Sequence, residues 1–126
     1  MRLKLALPMA SVFFLAACAT PGSLRQGKPD LDEVTNAPSE RVAGCIGDKL
    51  EDLGLGSAGV RLSTRPTTNG YSISGDQTLP GFYAGGGTDT ILLIDISKVD
   101  SKTRVQLFTH VLMGGPDYIS LIRGCL

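Results

Sequence analysis

The run Thr90-Ile91-Leu92-Leu93-Ile94-Asp95-Ile96 constrains this chain more than any other stretch. A strand that is half in water alternates apolar with polar residues. This one is apolar at nearly every position, so it reads as a strand with apolar contacts on both faces. Whatever sheet forms around it must be covered on both sides. The neighbouring segments supply that sheet. Val60, Leu62 and Thr64 alternate with Arg61, Ser63 and Arg65, and Pro66 ends the strand because it cannot donate to a central ladder. Asn69-Gly70 offers a turn, and Tyr71 and Ile73 resume the alternation. These two strands read as a hairpin with a loop of about five residues. Residues 75–88 read as a glycine-rich loop. After the apolar run and an Asp100-Ser101-Lys102 turn, a fourth strand spans Thr103 to Leu112.

Two helical stripes flank the strands. Val42, Cys45, Ile46, Leu50 and Leu53 recur at spacings of three and four, which predicts a helix from about Ser39 to Leu53. Pro38 or Ser39 opens it and Gly54 closes it. Gly44 and Gly47 weaken it intrinsically, which implies close packing against the sheet. At the other end Gly114-Gly115-Pro116 breaks the last strand. Tyr118, Leu121, Ile122 and Cys125 then form a second stripe, on a helix of about ten residues. The expected architecture is therefore α+β: helix, four-stranded antiparallel sheet, helix, with both helices on one face of the sheet.

That arrangement leaves the second face to be explained. Ile91, Leu93, Phe108 and Leu112 alternate out of phase with Leu92, Ile94, Leu107 and Val111, and the second set is expected against the helices. The first set then forms either an apolar patch rimmed by Arg61, Arg65 and Arg104, which would mark a partner site, or a surface covered by the loop 75–88. Arg61, Arg65 and Gln106 are expected to be exposed.

The start of the chain has its own pattern. Met1-Arg2-Leu3-Lys4 is basic, Leu5 to Phe14 is apolar, and Leu15-Ala16-Ala17-Cys18 follows. The apolar run carries Pro8 and gives way to Thr20-Pro21-Gly22-Ser23, which is short for a membrane span. Cysteine directly after Leu-Ala-Ala resembles the lipobox of bacterial lipoproteins. The resemblance implies that residues 1–17 are a signal peptide, cleaved before Cys18, and that Cys18 carries lipid on its sulfur and its new amino terminus. Ala19, where aspartate would retain the protein at the inner membrane, implies by the same resemblance an outer-membrane location facing the periplasm. Residues 18–37 read as the lipidated cysteine and a flexible tether rich in Pro, Gly and polar residues, and residues 38–126 as a single domain. Nineteen flexible residues would span about 24 Å.

Export implies an oxidising space, in which Cys45 and Cys125 are expected to join. Both lie on apolar stripes facing one sheet, so they meet if the two helices lie side by side. The competing readings are two buried free thiols, or a metal pair for which only His110 is a further soft ligand. Together with the lipobox, the segments Arg41-Val42-Ala43-Gly44-Cys45-Ile46, Thr64-Arg65-Pro66-Thr67-Thr68-Asn69-Gly70-Tyr71 and Arg123-Gly124-Cys125 resemble those of small lipoproteins of Proteobacteria. That resemblance implies a class and a compartment, and brings no activity.

Loss of Arg2 and Lys4 leaves ten basic against twelve acidic residues, a net of −2, which argues against nucleic-acid binding by phosphate neutralisation. His110 has no nucleophile motif beside it. The glycine cluster Gly81 to Gly87 precedes a strand and lacks lysine, unlike a phosphate loop. Asp89 and Asp95 are too isolated for a calcium loop, and Glu40, Asp48, Glu51 and Asp52 read as a solvated helix face. The expectation is a non-enzymatic, cofactor-free envelope lipoprotein that acts as an interaction or accessory module for an envelope protein partner. Contacts are expected from Arg61, Arg65, Phe82, Tyr83, Arg104 and Phe108. A small-ligand or cell-wall glycan binding module is the alternative, in which Phe82, Tyr83 and the arginines supply stacking and anion contacts. A hydrolase using His110 and a carboxylate comes third.

Overall fold

The computed structural model describes residues 19–79, 87–110 and 116–126. The leader, Cys18, Phe82, Tyr83, most of the glycine cluster, Val111 and Leu112 lie outside the described residues. In chain order the elements are α1 (Pro21–Arg25), β1 (Leu31–Thr35), α2 (Ser39–Asp52), a 3-10 turn (Leu55–Ala58), β2 (Val60–Thr67), β3 (Gly70–Leu79), β4 (Gly87–Val99), β5 (Lys102–Thr109) and α3 (Tyr118–Arg123). The strands form one antiparallel sheet in the order β1-β5-β4-β3-β2. The fold is α+β, and the apolar run lies on β4, the middle strand.

The first face of the sheet carries the main core. Val42, Ile46 and Leu50 of α2 are fully buried, as their spacing predicts. With Tyr118 and Ile122 of α3 they pack in one cluster with Ile73, Leu92, Ile94, Ile96, Val105 and Leu107. Both helices therefore share this face. A disulfide joins Cys45 to Cys125, with Cα atoms 5.7 Å apart, and ties the last helix to α2. Gly54 takes a left-handed conformation just beyond α2, where glycine is tolerated best. A side-chain carbon at Gly44 or Gly47, however, would meet nothing within 4 Å, so the expected close packing is absent at both. Leu53 is exposed at the helix end instead of joining the stripe.

Three expectations about the strands are corrected. The sheet has five strands, because Leu31–Thr35 pairs with β5 as an edge strand. Pro66 does not end β2: it pairs with Tyr71, and β2 runs on to Thr67. β2 is an outer strand, where a missing N–H is tolerated. The loop expected over 75–88 is shorter, since β3 continues to Leu79 and β4 begins at Gly87.

The pairing of β3 with β4 shifts between Gly75 and Asp76, which leaves Ile91 as an extra residue on β4. The bulge places Ile91 against the same core as Leu92, although alternation assigns it to the other face. Beyond it Thr90 turns to the second face and bonds Asp76. A one-residue bulge thus accounts for part of the uninterrupted apolar run. Gln106 is half-buried instead of exposed, because it reaches Asp32 of β1.

The tether is the largest correction. From Ala19 onward the segment is folded. Thr20 caps α1 in a reciprocal pair with Ser23, and Pro21 occupies its first turn. α1 lies on the second face, against β4 and β5, and Arg25 reaches Asp95 there. Leu93 and Phe108 are cross-strand partners on this face, 0% and 6% exposed. The open apolar patch expected on this face is not found, because both side chains are buried. A strap formed by residues 19–30 covers them, and most of the loop 75–88 lies outside the described residues.

Candidate functional site

The strap covers the β4–β5 half of the second face and leaves the β2–β3 half open. Between them runs a groove of about 470 Å³. Ser72, Ser74 and Asp76 of β3, with Thr90 and Leu93 of β4, form its floor. Ala19, Thr20 and Arg25 form one wall and Arg65 with Thr67 the other. A second hollow of about 370 Å³ continues toward the start of β2 and shares Arg65, Asp76 and Thr88 with the first. Alternation along β2 and β3 puts these hydroxyls and arginines on one face, because the other set is used by the core.

Most charges on this face are already paired. The Arg25 guanidinium forks onto Asp95 through Nε–Oδ2 at 2.6 Å and Nη2–Oδ1 at 2.7 Å, and Ser72 Oγ donates to the same carboxylate at 3.0 Å. The hydrogen bond from Arg25 to Asp95 raises the Arg25 pKa further. Arg104 forks onto Asp32, whose carboxyl is held below the usual range by that bond. Thr90 Oγ1 donates to Asp76 at 2.7 Å. By contrast Arg61 and Arg65 are exposed, and neither forms an ion pair among the described residues.

The expected contact residues therefore divide. Arg61 and Arg65 share one open face, as alternation predicts. Arg104 lies on the same face but is engaged by β1. Phe108 is beneath the strap and has no free surface to offer. The ion-pair partner of Arg104 and the cover over Phe108 both come from the segment read as a tether. Phe82 and Tyr83 lie outside the described residues.

Asp89 is a residue that sequence reasoning left without a role. Its carboxylate is buried, and Oδ1 accepts from the Ala19 N–H at 2.6 Å. The Ala19 carbonyl in turn accepts from Thr90 N–H at 2.9 Å. His110 Nε2 stands 3.9 Å from Asp89 Oδ2 and its side chain is 40% exposed. That distance is beyond a hydrogen bond, and the carboxylate's short bond goes to the strap. Asp89 therefore moors the start of the strap to β4. Asp30 plays a similar part at the strap's other end, accepting from the backbone N–H and the hydroxyl of Thr109. Its signal in the sequence is faint: aspartates at 30, 32, 89 and 95 fall beside strand positions, without a motif.

No group of three or more metal-ligating side chains occurs among the described residues. No helix among them is long and apolar enough to cross a membrane. Comparison with known proteins yields no match, whether among family models, curated proteins or solved structures.

Proposed function

We propose that this chain is a lipid-anchored envelope protein, held at the outer membrane through Cys18, that acts as a non-enzymatic interaction module. Its contact surface is the open half of the second face. The observation that supports this most is the contrast among the arginines of that face. Arg25 and Arg104 are neutralised within the fold, whereas Arg61 and Arg65 are exposed on an outer strand beside an open groove. Paired arginines hold the domain together; these two are available to a carboxylate or phosphate on a partner. Pro66 and the two arginines also blunt β2 against strand addition, so recognition runs through side chains. A photo-crosslinker in place of Arg61 or Arg65 in the full chain should capture one defined envelope protein, and R61E/R65E should abolish the capture in a crosslinker placed at Ser63. Capture of no defined protein from any of these positions would overturn the proposal.

A polar ligand is the second reading, and the groove itself favours it. A hydroxyl-lined floor with an arginine wall suits a glycan bearing a carboxylate. Cell-wall fragments would then shift the amide resonances of Ser72, Ser74 and Thr90 in a saturable way. Unchanged spectra at millimolar concentration would remove this reading.

A further inference from the structure

The position of Ala19 bears on how the domain meets the membrane. We infer that the folded domain is held close to the lipid surface, with the end of the sheet that carries Ala19 turned toward the headgroups. This rests on the reading of Cys18 as the lipidated residue.

A lipoprotein domain on a tether is free to stand off and rotate, and nineteen flexible residues would give it about 24 Å to do so. The chain has no such slack. Ala19 is buried, its N–H is bonded to the buried Asp89 and its carbonyl to Thr90 N–H, so both peptide groups beside it are held by β4. The Ala19 N–H belongs to the peptide bond that joins it to Cys18. The Cα of Cys18 is therefore about 3.8 Å from a fixed point of the fold. Lipid attached to its sulfur and amino group begins within a side chain's length of the sheet. An anchor whose glycerol lies at the headgroup level brings the start of β4 to that level too.

The direction follows from the strands. Asp89 pairs with Gln77, and Gln77 with Val60, so the start of β2 and the end of β3 share the anchored end. The Asp100-Ser101 turn lies at the other end of β4, about 33 Å away along the strand from Asp89. Arg61 adjoins the anchored end and Arg65 stands about 13 Å further along β2. A partner held by these arginines thus meets the domain close to the bilayer.

The test uses the full lipidated chain in vesicles of phosphatidylethanolamine and phosphatidylglycerol doped with a nickel-chelating lipid. Nitroxide labels go on Thr88→Cys, exposed near Ala19, and on Ser101→Cys, exposed at the distal turn. Relaxation by nickel should be several-fold stronger at position 88 than at position 101. A twenty-residue Gly/Ser spacer inserted between Cys18 and Ala19 should remove the difference. Mass spectrometry of the same samples reports the lipid. A lipidated chain with equal relaxation at both positions, or with a difference that the spacer leaves intact, would overturn the seating and leave the anchor reading standing. A chain whose mass carries no lipid would overturn both.

Discussion

The two faces of the sheet are closed by different means. On the first, α2 and α3 bury a continuous set of aliphatic side chains, and a disulfide fixes one helix to the other. On the second, a short strap covers Leu93 and Phe108 and is tied to the sheet by polar bonds: Ala19 and Asp89, Arg25 and Asp95, Asp30 and Thr109. Most of the apolar area that leaves water lies on the first face. Position resides on the second, where each bond has a direction and a partner. A face closed this way can be left half open without exposing the core, and that half is where Arg61 and Arg65 lie.

The largest effect expected belongs to the first face. The bridge closes a loop of 80 residues, for which chain entropy gives about 4.5 kcal/mol. Cys45→Ala with Cys125→Ala should lower the denaturant midpoint accordingly, and an unchanged midpoint would break the contrast at its strongest point. Ile46→Ala should cost about 2–5 kcal/mol, since the residue is fully buried between α2 and the sheet. Urea unfolding checks it, against the strap variant below.

Smaller effects sharpen the picture. Gly44→Ala should stabilise by about 1 kcal/mol, because the position is an exposed helix interior with open space around it. A melting temperature that falls would mean that a contact is made there after all. Arg25→Ala should change global stability by less than about 1 kcal/mol, the pair being partly exposed. It should nevertheless raise hydrogen exchange at Ala19 and Thr90 while leaving Ile94 protected. Equal loosening at all three sites would show that the faces are not separable.

Acid should act on the second face as well. Asp32 has a lower pKa folded than unfolded, because Arg104 bonds its charged form. Its contribution is complete above the unfolded value and is lost as pH falls through the folded one. The β1–β5 pairing should therefore weaken on acidification before the first face does. Exchange rates of β1 amides across the acid range read this directly.

The sequence is legible where burial imposes a period. Val42, Ile46 and Leu50 mark α2 because a helix must turn one stripe inward. Arg61 and Arg65 mark a face because a strand alternates. β1 escapes because its pattern is inverted. Val34 is 54% exposed on the second face, while Glu33 turns toward α3 and bonds Arg123. An edge strand held by ion pairs has no apolar period to read. α1 is only five residues long, and its Pro, Gly and Ser are those of a linker. Its caps define it, and caps are local. The pairing of Arg104 and the burial of Phe108 escape the sequence for the same reason. The partner of the one and the cover of the other come from this segment, so nothing near them in the chain signals either.

The central claim is that residues 19–35 belong to the fold. Backbone 15N relaxation of the chain beginning at Cys18 tests it most directly. Order parameters at Ala19, Leu24 and Leu31 to Thr35 should lie near 0.85, about the level of rigid backbone, matching those of β4. Values below about 0.6 through this stretch, with β4 still rigid, would restore the tether and contradict the strap.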